Sequence, residues 1–340
     1  MYSKKVSVVI PCYNAARWLP KCFLSLVGQT IGIESLQLIF VDDASTDGGA
    51  TWELLSEFER AYPESILIMR MEENRRQGGA RNAALPYVEG EYLAFVDADD
   101  FVAEDWLARV YERAVREDAD LIQFEYFCYT EKTGAFLPGR AVREETLRIE
   151  TPEERKAFLI REKITYGCWN KLYRSSLVRR AGVKYAERVV YEEPLFVYPL
   201  LFYGKRFAVM SEPFYYYRQN EAGTMQRDMK RKDTLLMHAD VQYQVWDFMK
   251  RTEFFREYYE EIKLYFLHTY FYETIYFAAL RGLALQMEDY RRLEETVKRE
   301  VPDYRSTRYE TLIPRQLQLY ALAAEGMTEE KLAAFMETIG

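Results

Sequence analysis

Val6–Pro11 reads VSVVIP, a short, β-branched and almost entirely apolar run, and three more strand-like runs follow it within the first hundred residues. These are Leu36–Val41 (LQLIFV), Ser65–Arg70 and Tyr92–Val96 (YLAFV). Strands that are apolar along their length are buried on both faces, which is typical of parallel sheets. The sequence therefore predicts a parallel sheet that is covered on both sides.

Helical patterns separate these runs, at Ala16–Leu26, Ala50–Tyr62 and Ala80–Leu85, and another follows at Trp106–Arg116. Alternating strands and helices predict an α/β fold with a mostly parallel, Rossmann-like sheet. A further strand is predicted at 121–129 and a helix at 152–162. From about Lys230 onward the pattern is almost wholly helical. We therefore expect a catalytic domain at residues 1–228 and a helical C-terminal region at 229–340.

Composition excludes several classes of function. The chain has 46 basic and 54 acidic residues, a net charge of −8 without a basic cluster, which argues against a nucleic-acid partner. Only two histidines occur, His238 and His268, so a histidine-based zinc site is not expected. The four scattered cysteines fit reduced thiols, and the apolar stretch 264–285 is interrupted by charged residues. We expect a cytoplasmic protein that can also make peripheral contact with a membrane.

Polar residues follow each predicted strand. In parallel sheets ligands bind beyond the carboxyl ends of the strands, so these residues are expected to converge on a site. The segments are 11–14 (PCYN), 42–47 (DDASTD), 73–74 (EN) and 97–100 (DADD).

Asp97 and Asp99 are two residues apart, so their carboxylates point to the same side of an extended segment. Two oxygen ligands on one face suit Mg²⁺ or Mn²⁺, which complete their shells with phosphates and water. An alternative is that Asp99 or Asp100 caps the helix that begins near Ala103. Capping requires one acid and does not explain three, so we favour the metal site.

Asp42 is expected to bind a ligand, whereas Asp47, or alternatively Thr46, is expected to cap the next helix. The segment 74–82 (NRRQGGARN) combines glycines with three arginines, and arginine forks bind phosphate through paired hydrogen bonds. A solvated basic loop would have a similar sequence.

These motifs together resemble glycosyltransferase family 2, whose members have the GT-A fold. The matching segments are VSVVIPCYN (6–14), FVDDASTDGG (40–49), ENRRQGGARNAAL (73–85) and GEYLAFVDADD (90–100), with weaker matches at 166–178, 189–196 and 214–220. The resemblance covers residues 5 to about 225 and implies an inverting transferase that takes a sugar from a nucleotide diphosphate, UDP- or GDP-linked, and uses Mn²⁺ or Mg²⁺.

The resemblance also implies roles for individual residues. Asp99 would bind the metal, with Asp97 placed toward the metal and the ribose or sugar. The remaining residues expected to bind the donor are Pro11, Tyr13, Asn14, Asp42, Asn74, Gly78, Arg81 and Ala98. On the acceptor side, which would take a saccharide or a lipid-linked sugar, we expect Trp169, Asn170, Lys171 and Arg218.

Glu192 and Glu193 stand where the family often has Glu-Asp before a proline, here Pro194, and where it draws its catalytic base. Glu193 is the expected base and Glu192 is expected to orient the acceptor. Acids followed by a proline are also typical of the first turn of a solvated helix.

Two enzyme classes that share this type of sheet are excluded. The first strand is followed by PCYNAA, without the glycine-rich turn of a dinucleotide-dependent oxidoreductase, and no P-loop motif is present. A sugar nucleotidyltransferase and a non-catalytic module that binds nucleotide sugars remain as alternatives. The C-terminal helices have a broad apolar face with Leu264, Leu267, Phe271 and Ile275, for which we favour internal packing over contact with a membrane surface or a homo-oligomer.

Overall fold

The computed structural model describes residues 2–139, 142–219, 231–309 and 326–339. Its contacts divide the chain into two compact units, Met1–Asn220 and Glu221–Gly340. The domain boundary predicted after residue 228 lies outside the described residues.

The first unit contains a ten-stranded sheet whose first half is parallel. The four strands of this half lie in the order β3-β2-β1-β4: β1 (Lys4–Cys12), β2 (Leu36–Asp42), β3 (Ile66–Arg70) and β4 (Gly90–Phe95). These strands correspond to the four predicted from the apolar runs. Because they are parallel, their carboxyl ends all lie at one edge of the sheet.

The second half of the sheet mixes strand directions, in the order β4-β9-β6-β10-β5. Its strands are β5 (Phe101–Val102), β6 (Leu121–Thr130), β9 (Lys171–Arg174) and β10 (Arg206–Arg218), with β7 (Ala135–Pro138) paired to β6 and β8 (Glu145–Arg148) paired to β10. Strand β9 runs antiparallel between β4 and β6. It therefore joins the parallel half to the mixed half.

Seven helices cover the sheet unit: α1 (Leu19–Val27), α2 (Ala50–Ala61), α3 (Arg76–Ala84), α4 (Trp106–Glu117), α5 (Pro152–Arg161), α6 (Ser175–Ala181) and α7 (Glu193–Tyr203). The N-cap residue of α2 is Gly49 and not Asp47 as predicted, but Asp47 still accepts hydrogen bonds from the N–H and hydroxyl of Thr51 in the first turn of this helix. The core is made of fully buried aliphatic strand residues, such as Val8 and Leu38, together with large rings such as Trp106.

The predicted α/β class is therefore confirmed, and the long helical C-terminal part is also present. Five of the strands, β5 and β7 to β10, have no counterpart among the predicted elements, because their sequences are short, polar or tyrosine-rich instead of aliphatic. The antiparallel pairs of the second half depend on these strands.

The described part of the second unit is helical. It contains α8 (Lys232–Lys250), α9 (Tyr259–Phe266), a π-helical segment (Leu267–Tyr272), α10 (Glu273–Leu280), α11 (Met287–Glu300) and α12 (Glu329–Ile339). Within the described ranges, none of these helices combines the length and the apolar character needed to cross a bilayer.

Glu300, the last residue of α11, connects this helix to α8 through hydrogen bonds. Its carboxylate accepts hydrogen bonds from Trp246 Nε1 at 3.2 Å, Tyr243 Oη at 3.0 Å and Lys250 Nζ at 2.8 Å, and also from Arg299. Burial alone would raise the pKa of Glu300, but these donors outweigh burial and lower the pKa to about 2.

Replacing Glu300 by Gln should destabilise the helical unit by about 1.5–3 kcal/mol at pH 7, because several hydrogen bonds to a charge are lost. The carboxylate stabilises the fold fully above its unfolded pKa of about 4.3, and this stabilisation is lost as the pH falls toward 2. Urea unfolding should therefore show a difference between wild type and Glu300→Gln that is constant above pH 5 and smaller at pH 3.5.

Arg251→Gln is the control, because the Arg251–Asp247 pair is exposed and should contribute about 0.5 kcal/mol or less. Equal stability of wild type and Glu300→Gln at pH 7 would contradict the role given to Glu300.

Candidate functional site

The loops at the carboxyl edge of the parallel strands are conformationally strained. The described residues include seven non-glycine residues with positive φ, and five of them lie on these loops or just before α7. The five are Asn14, Ala44, Arg76, Arg188 and Tyr191. Positive φ is unfavourable for residues with a β-carbon, and such strain concentrates at functional sites.

Arg81, on α3, lies at the centre of the site. Its side chain is 2% exposed, and its guanidinium bridges two carboxylates: Nη2 lies 2.7 Å from Asp97 Oδ1, and Nη1 is hydrogen-bonded to Glu192. The ring of Tyr185 lies 5.2 Å from the guanidinium carbon. Arg81, predicted to lie near the donor, thus links the acid that follows β4 to the acid that precedes α7.

Glu192 is buried, and both of its oxygens accept hydrogen bonds, one from Arg81 and the other from Gln77 Nε2 at 3.0 Å. Burial raises the pKa of Glu192 to about 7, an effect that Arg81 opposes and Glu193 reinforces. Gly78 allows this approach, because a β-carbon there would lie 2.1 Å from the carbonyl oxygen of Ala186 and 3.1 Å from Cγ of Glu192.

Glu193 has a different environment. It is half-buried at the start of α7, and its Oε1 accepts a hydrogen bond from the backbone N–H of Cys168 at 3.0 Å. No cation lies within ion-pair distance of Glu193 in the ranges that the structure describes. Of the two glutamates, Glu193 is therefore the one whose carboxylate is not neutralised by an arginine.

The three acids after β4 occupy three environments. Asp97 pairs with Arg81, and Asp100 is buried, accepting hydrogen bonds from Tyr215 Oη at 2.6 Å and from the N–H of Arg218 at 2.7 Å. Asp99 is half-buried, and no lysine, arginine or histidine among the described residues lies within ion-pair distance of it. Burial raises the pKa of Asp99 to about 6, and the charge of Asp97 adds to this shift.

This donor set fits a divalent cation that shares its shell with a phosphate ligand. Within the described ranges no group of three or more His, Cys, Asp or Glu side chains could hold a metal without other ligands. Mg²⁺ is usually bound through one or two carboxylates plus substrate phosphates and water. An unpaired, desolvated carboxylate at Asp99 next to Asp97 meets that requirement.

The other predicted donor residues lie along the same edge. Asn14 and Thr46 exchange two hydrogen bonds between the loops after β1 and β2, and Asn74 Nδ2 donates to the carbonyl of Asp43. Tyr13 is 48% exposed. A cavity of about 470 Å³ at the ends of β2 and β3 is lined by Ala44, Ser45, Arg70, Met71 and Glu72.

Asp42 and Asp43 each have one carboxylate oxygen, Oδ2, that is buried without a hydrogen-bond partner in the described structure. Arg70 Nε lies 3.5 Å from Asp42 Oδ2, whereas Asp43 Oδ1 accepts from the N–H of Arg75 at 2.8 Å. Burial raises the pKa of Asp43 to about 6. Sequence reasoning selected only Asp42, although Asp43, the first residue beyond the strand, also has a buried oxygen without a hydrogen-bond partner.

Of the acceptor-side residues, Asn170 and Lys171 are buried and bonded to the protein. Asn170 Nδ2 donates to the carbonyl of Phe124, and Lys171 Nζ donates to Thr165 Oγ1 at 3.1 Å, Gly167 O at 2.5 Å and Asn170 Oδ1 at 2.8 Å. We predicted that these two side chains contact the acceptor, but in the structure their polar atoms bond to the protein and support the loop 165–170. Trp169, by contrast, is half-buried.

Arg218 also supports its neighbours. Its Nε donates to the carbonyl of Asp99 at 2.5 Å, its Nη1 lies 3.0 Å from Glu131, and its guanidinium lies 4.7 Å from the ring of Trp18. Arg218, expected on the acceptor side, therefore fixes the backbone at Asp99 and stacks on an aromatic ring.

Lys171 should make stability depend on pH above neutrality. Burial lowers the pKa of Lys171 to about 7, whereas an unfolded lysine titrates near 10.4. Between these values the unfolded state binds the extra proton, so the free energy of unfolding should rise as the pH increases from about 7 to 10. Urea unfolding of Lys171→Met should lack this rise, whereas Lys184→Met, at an exposed position, should keep it. Identical pH slopes in wild type and Lys171→Met would contradict the assignment.

Comparison with known proteins supports the same architecture. The model of the family described as glycosyl transferase family 2 matches residues 7–182, about half of the chain. A poly(ribitol-phosphate) beta-glucosyltransferase of Bacillus spizizenii is 28% identical over 63% of this chain and 32% of its own length. The putative glycosyltransferase EpsH of Bacillus subtilis is 26% identical over 68% of this chain and 65% of its own. The chain thus spans less than two thirds of these relatives.

Two solved structures share the fold. Staphylococcus aureus TarS 1–349 in complex with UDP-GlcNAc superposes with a TM-score of 0.74 at 19% identity, covering 98% of this chain and 90% of that one. The mannosyltransferase PcManGT from Pyrobaculum calidifontis, with GDP-Man and Mn²⁺, superposes with a TM-score of 0.51 at 18% identity, covering 96% and 87%. The family match and the arrangement of the sheet together show that this chain belongs to glycosyltransferase family 2 and has the GT-A fold.

Proposed function

We propose that this glycosyltransferase transfers a sugar from a nucleoside diphosphate donor, a UDP-sugar in the first instance, to a hydroxyl group, with inversion at the anomeric carbon. The observation that carries the proposal is the Arg81 bridge, which holds the acids after β4 next to the two glutamates at the start of α7. A metal-assisted leaving group and a base are then available within one site.

The donor is proposed to lie along the carboxyl edge of the parallel strands. The Oδ2 atoms of Asp42 and Asp43, which have no hydrogen-bond partner among the described residues, can accept hydrogen bonds from a nucleobase, beside the cavity at the ends of β2 and β3. Pro11, Tyr13, Asn14 and Asn74 line or brace the same edge. Binding of UDP-GlcNAc by TarS and of GDP-Man by PcManGT supports a nucleotide sugar as ligand.

Asp99 and Asp97 are proposed to hold Mn²⁺ or Mg²⁺ together with the donor diphosphate. The cation would supply electrostatic stabilisation of the charge that develops on the leaving diphosphate. The PcManGT complex with Mn²⁺ supports a divalent ion in this fold. Arg81 holds the carboxylate of Asp97 in place through an ion pair, and Arg218 fixes the backbone of Asp99.

Glu193 is proposed as the general base. An acceptor hydroxyl is a weak nucleophile at neutral pH, so a carboxylate must take its proton as the new bond forms. The bond to the N–H of Cys168 orients Glu193 through one oxygen and leaves the other for the acceptor. Because base and leaving group act in a single displacement, the anomeric configuration inverts. Glu192 is proposed to position the site through Arg81.

The transfer is proposed to serve the synthesis of a cell-surface polysaccharide or teichoic-acid-type glycoconjugate, in line with the names of the Bacillus spizizenii enzyme and of TarS from Staphylococcus aureus. Residues 1–228 are proposed as the catalytic domain. The apolar face of the helical region 229–340 is proposed to pack within the protein, since Leu264, Leu267, Phe271 and Ile275 are buried. Contact with a second copy of the chain, or with the membrane surface from which a lipid-linked acceptor is presented, is the alternative.

Asp99→Asn should remove the metal-dependent part of donor binding, because an amide is a neutral and weaker ligand. In wild type, calorimetry should show UDP or GDP binding at least about tenfold tighter with Mn²⁺ than with EDTA, a difference of about 1.4 kcal/mol. In Asp99→Asn the two affinities should be similar. Asp105→Asn, at a position outside the site, should behave as wild type. Equal affinity with Mn²⁺ and EDTA in wild type would disprove the metal assignment.

Glu193→Gln should lower kcat by about two to four orders of magnitude, because the amide keeps the shape of the side chain but cannot accept the proton. Donor affinity should change little, since the lost interaction belongs to the transition state. Glu187→Gln is the control, because Glu187 is a nearby acid without an assigned catalytic role, and this variant should keep kcat close to that of wild type. The product's anomeric configuration, read by NMR, should be opposite to the donor's. Near wild-type turnover in Glu193→Gln, or a retained configuration, is incompatible with this mechanism.

A further inference from the structure

Three half-buried aromatic side chains, Tyr126, Trp169 and Tyr217, form a contiguous surface that we call the aromatic surface. The ring of Trp169 lies 4.7 Å from Tyr126 in an edge arrangement and 5.7 Å from Tyr217 in a nearly parallel one. The three residues come from β6, from the loop before β9 and from β10. Separate parts of the sheet thus place their rings side by side.

The polar atoms of this surface are not used by the protein. Among the described residues no group forms a hydrogen bond with Trp169 Nε1, Tyr126 Oη or Tyr217 Oη. The polar atoms of tyrosine and tryptophan usually find a partner when these rings are buried. The aromatic surface therefore presents apolar rings and three unused hydrogen-bonding atoms.

The aromatic surface is linked both to the acids after β4 and to Glu193, the proposed base. Behind Trp169, the ring of Tyr215 lies 4.7 Å away, and its hydroxyl bonds to Asp100 and accepts from the N–H of Asp97 at 3.1 Å. The residue before Trp169, Cys168, donates its N–H to Glu193. Burial, followed by the charges of Asp100, Asp97 and Asp99, raises the pKa of Tyr217, which places this ring near the same acids.

We infer that the aromatic surface binds the ring of a pyranose acceptor, so that the attacking hydroxyl belongs to a cyclic sugar instead of an acyclic polyol phosphate. A pyranose has a flat C–H face that packs on aromatic rings and a rim of hydroxyls for the unused polar atoms, whereas an open-chain polyol has no such face. This inference rests on the proposed function, because it assigns the acceptor of the same site.

The nearby cations do not favour a phosphate. Lys171, two residues after Trp169, directs its ammonium to three acceptors of the protein, and Arg218, next to Tyr217, is engaged by Glu131 and the carbonyl of Asp99. A polyol phosphate bound on the aromatic surface would therefore not find a free cation in these two side chains. A neutral sugar ring needs none.

The test compares acceptors on the purified full chain, with UDP-glucose, UDP-N-acetylglucosamine and GDP-mannose as donors and Mn²⁺ present. Methyl β-pyranosides of glucose, galactose and N-acetylglucosamine are set against ribitol 5-phosphate and glycerol 3-phosphate. Saturation-transfer NMR reports binding of each acceptor, and release of nucleotide without acceptor reports donor turnover. We expect kcat/KM to be at least about tenfold higher for one of the pyranosides than for either polyol phosphate.

Trp169→Leu should raise the KM for that pyranoside by about tenfold or more, as expected when an anchoring ring is lost. UDP affinity and donor hydrolysis should change less than threefold, a split that a general loss of structure would not give. Tyr217→Phe, which keeps the ring, should raise KM by a smaller factor. Tyr216→Phe is the control, because Tyr216 is not part of the aromatic surface and its ring stacks on Phe101 instead.

Different results would overturn the assignment of the aromatic surface and the proposed function. Donor hydrolysis with no transfer to any pyranoside, or a preference for ribitol 5-phosphate, would overturn the aromatic-surface assignment and leave the proposed function intact. A rise in the dissociation constant of UDP in Trp169→Leu would assign the surface to the donor and equally overturn it. If wild type binds none of the three donors and turns none of them over, the proposed function itself fails.

Discussion

The guanidinium of Arg81 is buried between Asp97 and Glu192, which are separated by almost a hundred residues of chain. A buried cation between two carboxylates constrains all three groups, because removal of Arg81 would leave both carboxylates without a countercharge, at a cost of about 3–5 kcal/mol. This constraint holds α3, the end of β4 and the start of α7 in one arrangement. Gly78, one turn earlier on α3, permits it, since a side chain there would collide with the backbone at Ala186.

Similar acids acquire different properties around this centre. Asp100 is enclosed by Tyr215 and the backbone of Arg218, so it serves the structure, whereas Asp99 has no cationic partner among the described residues and is available to a cation. Glu192 is matched by Arg81 and Glu193 is not. A desolvated carboxylate without a cationic partner is energetically costly. Binding of a cation or a proton to such a carboxylate is therefore favoured. The environment of each carboxylate, and not its chemical type, therefore separates scaffold from reactive group.

The parallel half of the sheet could be predicted from the sequence because its strands are aliphatic, buried on both faces and followed at once by polar residues. The mixed half could not. Strand β9 is four residues long and contains Lys171 and Arg174, and β10 reads as a tyrosine-rich segment with Pro213 inside it. Such strands are specified by partners distant in sequence, β6 above all, and carry no periodicity of their own. Pairing with β6 nevertheless places the aromatic surface beside the acids.

By itself the sequence determined the α/β class, the edge of the sheet where polar residues gather and the identity of most acids there, because these follow from local hydrophobic patterns and the residues just after them. It also determined the family through four ordered motifs. Only the tertiary structure decided which acid is neutralised, that Arg81 is a bridge and that Lys171 is buried, and it brought Trp169 and Tyr217 side by side. Burial, ion pairing and ring contacts depend on distances between residues far apart in the chain, and a linear pattern does not encode them.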